Sequence, residues 1–352
     1  MVRPALALYA TACVGCQILL GIATDVPVLA DASPDASVDA AEATIPEAAA
    51  PIDARPDAPL DGTGAIPILL AEGQLAVFNI AVDAVNVYWT INSLVLGAVM
   101  QCPKDCNLRP TLLASSQAVP FGVASDSKNV YWTNYRGSVM ACPAVGCPDA
   151  GPTFLATAQY TASGIAVGAT GVYWAMQFGG IMECDLGGCG MHPRSISDSP
   201  GSYVAVDSTS IYATFTYGNI FTCPLAGCDG GAGLLPSGGS PLGVAVYGGN
   251  VYWTEPTSGT VRECSAQKCT LPTDTNTIAS GQDTPSGIAV DSTGVYWTNN
   301  SADAGSVMRC TDCQGKPTPL ASGMRNPYGI ALDATAVYWT NQGDGTVMKL
   351  FK

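Results

Sequence analysis

From residue 66 onward the chain is written in short apolar runs of four to six residues, rich in Val, Ile, Tyr, Trp and Thr and punctuated by Gly, Asn and Asp. That alternation of stiff β-branched or aromatic residues with turn formers predicts strands joined by tight connections. The pattern is clearest at residues 285–322. Pro285-Ser286-Gly287-Ile288-Ala289-Val290-Asp291 reads as a first strand, Ser292-Thr293-Gly294 as a turn, and Val295-Tyr296-Trp297-Thr298 as a second strand. After a variable loop, Gly305-Ser306-Val307-Met308-Arg309-Cys310 reads as a third, and Pro319-Leu320-Ala321-Ser322 as a fourth.

This unit recurs. A Val-Tyr-Trp-Thr string or a close variant carries Tyr88, Tyr131, Tyr173, Tyr212, Tyr252, Tyr296 and Tyr338, at spacings of 43, 42, 39, 40, 44 and 42 residues. All six tryptophans lie in it, and the fourth copy has Ala213 instead. Four antiparallel strands per repeat of this length describe the blades of a β-propeller. The innermost strand of a blade is squeezed between neighbours, and the candidates are apolar on both faces and locally small: Gly164-Ile165-Ala166-Val167, Gly243-Val244-Ala245-Val246 and Gly329-Ile330-Ala331-Leu332. The six tryptophans are accordingly expected between blades. At the fourth copy, repacking by Phe215, Tyr217 and Phe221 competes with a pocket opened by Ala213.

The ends of the repeat region fix the count. A fourth-strand sequence at residues 66–73 precedes the first motif, whereas only a third strand, Gly345-Thr346-Val347-Met348-Lys349-Leu350, follows the last. The expected fold is all-β, a seven-bladed propeller whose ring is closed by an N-terminal strand that completes the last blade and removes its open edge.

The cysteines keep the same register. Six copies carry a pair between third and fourth strands: Cys102/Cys106, Cys142/Cys147, Cys184/Cys189, Cys223/Cys228, Cys264/Cys269 and Cys310/Cys313. Each pair is expected to form a local disulfide. Structural zinc usually takes four ligands, which pairs on separate blades do not readily supply. A redox role for Cys310/Cys313 lacks its usual helical setting. The Tyr-Trp-Thr-Asn strings at 131–134, 296–299 and 338–341 resemble the YWTD repeats of low-density lipoprotein receptor propellers, and the broader pattern is similar to NHL-type propellers. The resemblance spans residues 66 to 352 and implies the fold, not a ligand. Seven copies instead of six, Asn for the final Asp and a cysteine hairpin per blade depart from it.

Composition adds the compartment. Fourteen cysteines suggest an oxidising environment. Residues 1–24 read as a signal peptide or a membrane or lipid anchor: Arg3 precedes an uncharged apolar run, and Cys13 and Cys16 each follow a small residue, as lipidation requires. Lipid anchoring, free secretion and an uncleaved anchor all fit. Residues 25–62 are rich in Ala, Asp and Pro and carry −8 of the total charge of −14, the composition of a disordered linker. Residues 63–352 form the propeller and are only mildly acidic, at −7. Without a basic footprint, nucleic acid is excluded as a partner. A monomer that meets the membrane only through its N-terminal anchor is expected.

Function must come from a site, since one fold hosts many activities. The variable connections between second and third strands, at 92–97, 134–137, 176–180, 215–218, 255–259, 299–305 and 341–345, form one face with the fourth-to-first connections. Tyr135, Phe215, Tyr217, Glu255, Asn299, Asp303, Asn341 and Asp344 are its candidate ligand-binding residues. The expected function is a non-enzymatic scaffold for a protein, peptide or glycan, with no cofactor and no catalytic residue. The alternative is a propeller lyase or lactonase-like hydrolase holding Ca²⁺ or Mg²⁺ on loop carboxylates such as Glu255, Asp283, Asp303 and Asp344. The single histidine, His192, falls on the opposite face, which leaves serine–histidine catalysis without a base. Asp83, Asp126, Asp207, Asp291 and Asp333 recur at the turn after the first strand and are expected to bond that turn's own backbone.

Overall fold

The computed structural model describes residues 66–215, 218–228, 233–237, 239–269, 271–313 and 316–352. The leader with Cys13 and Cys16 and the linker at 25–62 lie outside the described residues. Within them are seven four-stranded sheets. Six are consecutive along the chain, at residues 77–114, 120–160, 162–197, 204–236, 244–279 and 285–324. The seventh joins Pro327–Leu332, Ala336–Asn341 and Thr346–Phe351 to the N-terminal strand Ile68–Ala71, with Ile68 opposite Lys349 and Leu69 opposite Met348. The protein is thus an all-β, seven-bladed propeller closed by strands from both ends of the repeat region.

The core is seven interfaces between blades. Tyr88 of blade 1 clusters with Trp132 of blade 2, Tyr131 with Trp174, and so on to Tyr338 of blade 7 with Trp89 of blade 1. Period-two alternation explains this, because adjacent Tyr and Trp side chains leave opposite faces of their strand and so meet opposite neighbours. All six tryptophans have no exposed surface. In blade 4, Ala213 is itself buried and Phe221 packs beside it, with the Phe215 ring 6.2 Å from that of Phe221. Described aromatics have therefore repacked the tryptophan's place; Tyr217 lies outside the described residues.

The threonine of the repeat is the second inter-blade device. Thr90, Thr133, Thr214, Thr254, Thr298 and Thr340 are fully buried. Each hydroxyl accepts a first-strand amide of its own blade at 2.9–3.1 Å, that of Asn79, Gly122, Tyr203, Gly243, Gly287 or Gly329. It donates to a carbonyl of the next blade, that of Phe121, Ser163, Leu242, Ser286, Tyr328 or Phe78, at 2.5–3.0 Å. Blade 3 has Ala175 at this position, and Ser163 Oγ makes the link instead, 2.8 Å from Ser202 O. Seven such bonds close a ring around the axis. The approach is tight enough to require glycine: a Cβ on Gly122 would sit 2.7 Å from Ser163 O, and one on Gly329 2.8 Å from Phe78 O.

At the far end of the first strand the recurring aspartates clamp the turn, as expected. One carboxylate oxygen of Asp83, Asp126, Asp207 and Asp333 accepts the amides two and three residues on. The other accepts the repeat tyrosine hydroxyl (Tyr88, Tyr131, Tyr212, Tyr338) at 2.8–3.1 Å. Asp291 holds the Thr293 amide and the Lys352 ammonium. Lys104 of blade 1 pairs with Asp333 of blade 7 at 2.8 Å across the closing interface.

Candidate functional site

All six cysteine pairs are disulfides: Cys102–Cys106, Cys142–Cys147, Cys184–Cys189, Cys223–Cys228, Cys264–Cys269 and Cys310–Cys313. They staple the third-to-fourth connections on one face of the ring, and such bonds persist in an oxidising compartment. The first cysteine of each pair stands at the end of a third strand and is buried. The second members lie in the connections, yet they are not open surface residues. Cys106, Cys147, Cys189, Cys228 and Cys313 are half-buried against the apolar clusters between blades, and Cys269 is fully part of one. Each bridge therefore pins its connection onto an interface as well as closing a loop. His192 is exposed on this same face, its amide bonded to Cys189 O.

The opposite face carries the second-to-third and fourth-to-first connections, and it is apolar in places. In blade 1 the Ser93 hydroxyl accepts the amides of Val95 and Leu96 at 3.3 and 3.1 Å, and Asn92 is tied to Ala76 O and Pro120 O. This braced turn presents Leu94, Val95 and Leu96 at 59%, 85% and 66% exposure, and Leu75 beside it is exposed as well. Tyr160 of blade 2 and Phe178 of blade 3 are also exposed on this face.

The candidate residues named from the sequence do not share one environment. Tyr135 is half-buried, with its hydroxyl 3.0 Å from Gln177 Oε1 and its ring stacked 6.3 Å from Phe121. Asp303 is exposed, 4.0 Å from the Arg325 guanidinium, and Asp344 is exposed and caps its own turn through Thr346. Asn299, Asn341 and Glu255 are buried. Each follows the threonine of its repeat, and a two-residue period returns it to the tryptophan's side of the strand. There Asn299 Nδ2 donates to Gln282 Oε1 and Ser306 Oγ, and Asn341 Nδ2 to Thr346 Oγ1. Glu255 accepts Trp253 Nε1 at 2.9 Å, Ser258 Oγ at 3.0 Å and Thr260 Oγ1 at 2.7 Å, with Arg262 at 3.9 Å. Phe215 belongs to the blade 4 core and Tyr217 lies outside the described residues. Asp283 is bonded by the Thr284 hydroxyl. Among the described residues no three His, Cys, Asp or Glu side chains come together in a set that could hold a metal ion.

Sequence reasoning missed the axis. Tyr203 of blade 4 and Tyr328 of blade 7 join hydroxyl to hydroxyl at 2.6 Å. The Phe78 ring stacks on Tyr328 at 4.6 Å, and Phe121 lies 4.7 Å from Phe78 and 5.9 Å from Tyr203. Burial, and next the neighbouring Tyr328, push the Tyr203 phenol well above its usual range, so it stays neutral. A signal was present in the repeats: five first strands have Gly where blades 1 and 4 have Asn79 and Tyr203.

No known protein family matches the sequence, and no curated protein does either. Solved structures do match in fold. The WD40 beta propeller domain of Doa1 superposes with a TM-score of 0.65 at 10% identity, over 81% of this chain and 97% of that one. The structure of U3-55K gives 0.65 at 10%, over 81% and 98%. The computationally designed Ika8 protein gives 0.54 at 12%, over 81% and 98%. At such identities the likeness is one of fold alone.

Proposed function

We propose that this chain is an exported, non-enzymatic binding scaffold that takes a protein or peptide on the face opposite its disulfides. The braced turn of blade 1 carries the reading. Three consecutive aliphatic side chains held in water by a Ser93-capped turn cost solvation unless a partner covers them, and rigid apolar anchors are what interface cores use. A glycan would instead stack on exposed aromatic rings, which this face offers as Tyr160 and Phe178 on separate blades. The loop carboxylates an enzyme would employ are spread apart, and Glu255 is engaged by Trp253, Ser258 and Thr260.

Residues 1–24 would direct export, by secretion or by a lipid anchor on Cys13 or Cys16, and residues 25–62 would serve as a tether. The closing strand Ile68–Ala71 begins on the disulfide side of the ring and runs toward the loop face. The YWTD-like repeats of the sequence are compatible with such a role and do not specify it.

The test places a photo-crosslinking amino acid at Val95 and, as control, at Val145 on the disulfide face, in cells that export the protein. A discrete adduct at position 95, missing at 145 and lost with Leu94→Asp and Leu96→Asp, supports the reading. Equal adducts at both positions, or none at 95, would sink it.

A further inference from the structure

The seven innermost strands leave a cavity of about 170 Å³ on the axis, and every blade contributes to its wall. One Ile or Val from each blade, from Ile80 in blade 1 to Ile330 in blade 7, forms an aliphatic collar. Asn79, Tyr203, Ser286 and Tyr328 supply hydrogen-bonding groups. These groups bond to neighbouring protein atoms: Tyr203 meets Tyr328, Asn79 Nδ2 reaches Phe121 O, and Ser286 Oγ reaches Thr284 O. Among the described residues no Asp, Glu, Lys, Arg or His lines the space. The tyrosine pair, with Phe78 stacked on Tyr328 and Phe121 tilted against Tyr203, stands at the loop-face end of the collar.

Three properties define what fits. Apolar cavities of roughly 150 Å³ hold a benzene-sized molecule, so the guest has on the order of six to ten non-hydrogen atoms. An ion would be stripped of water with no opposite charge to meet it, so the guest is neutral. The collar offers no hydrogen bonds, whereas the hydroxyl and amide groups do. The guest is therefore amphipathic, with an apolar body against the collar and a polar group among the hydroxyl and amide groups, the usual division of labour in small-molecule pockets. We infer that the axial channel is a binding site for a small neutral phenol or aromatic alcohol, its ring inside the aliphatic collar and its hydroxyl among Tyr203, Tyr328 and Asn79. This site is separate from the loop-face turn, and either can fail without the other.

The test titrates the purified protein with p-cresol by saturation-transfer NMR and calorimetry, with benzoate and benzylamine as charged counterparts. Binding of p-cresol at least tenfold tighter than either charged analogue is expected. Val244→Phe, which fills the collar, should abolish it, and Tyr203→Phe, which keeps the volume and removes one hydroxyl, should weaken it several-fold. If Val244→Phe does not fold, judged by circular dichroism, the comparison of p-cresol with its charged analogues and the Tyr203→Phe variant decide. Absence of p-cresol binding, equal binding of benzoate, or binding indifferent to both substitutions overturns the assignment. So does a crystal grown with p-cresol whose channel holds water alone.

Discussion

Thr340 Oγ1 donates a 2.6 Å hydrogen bond to the carbonyl of Phe78, and this bond carries the inter-blade ring across the junction of the last blade with the first. Its counterpart between blades 2 and 3 is Thr133, which accepts Gly122 N and donates to Ser163 O in a fully buried position. Thr133→Val keeps the shape and removes both bonds. Each of the two buried groups left without a partner costs about 1–3 kcal/mol, so a loss of about 2–6 kcal/mol is expected. Urea denaturation of Thr133→Val and Thr340→Val, beside the exposed Thr111→Val, measures it. A midpoint for the buried variants no lower than that of the exposed one would show that the ring does not contribute.

The tryptophan indoles yield a stabilising prediction. Trp132, Trp174 and Trp297 each donate to a glutamine fifteen residues earlier, Gln117, Gln159 and Gln282. Blade 7 has Met324 at that place, and Trp339 Nε1 has no hydrogen-bond partner among the described residues. Met324→Gln, of similar length, supplies an acceptor for Trp339 and for Asn341, as Gln282 does for Trp297 and Asn299. A gain of about 1 kcal/mol in unfolding free energy is expected. A thermal melt that falls instead would mean that the glutamine does not reach the indole.

The six disulfides close loops of only a few residues. On the chain-entropy account each contributes at most about 2 kcal/mol. Cys142→Ser with Cys147→Ser should lower stability by that amount and leave the fold intact. Full reduction, which also frees Cys106, Cys189, Cys228, Cys269 and Cys313 from their partners, should lower the melting temperature far more. Thiol titration of the unreduced protein, denatured, should find none of the cysteines beyond residue 62 reactive.

The clamps set a pH window. Burial by itself raises the carboxyls of Asp83, Asp207, Asp291 and Asp333, but hydrogen bonds from turn amides, Thr and Tyr hydroxyls and Lys104 or Lys352 outweigh it and hold them below the usual range. A depressed carboxyl stabilises the fold above its unfolded value near 4, and that contribution is lost as pH falls through the folded one. Tyr131 and Tyr212 are pushed up to about 12, first by burial and then by Asp126 and Asp207. A raised phenol contributes fully below the unfolded value near 10, and its contribution is lost as pH rises through the folded one. Melting temperature should therefore be flat between about pH 5 and 9, falling on both sides. Asp207→Asn should flatten part of the acid limb; an unchanged limb would place the titrating groups elsewhere.

The strand pattern, the blade count, the closing strand and the cysteine pairing were legible because they depend on local chemistry repeated at a fixed period. The recurring Asp of the first turn was legible too, since its partners lie two and three residues away. Asn299, Asn341 and Glu255 were read as loop residues although they sit at strand ends. The next residue after a motif keeps the strand's alternation until a turn breaks it, and here it does not.

The repeat unit by itself determined which residues form strands, how many blades there are and which end completes the last one, because those outcomes follow from periodicity and from what each short segment can hydrogen-bond nearby. Tertiary structure alone decided that the threonines form a ring, that Tyr203 and Tyr328 meet across 125 residues, and which neutral groups surround the axial cavity. Those contacts exist only once seven sheets converge, because the distance between blades is set by the closure of the whole ring and not by any one repeat.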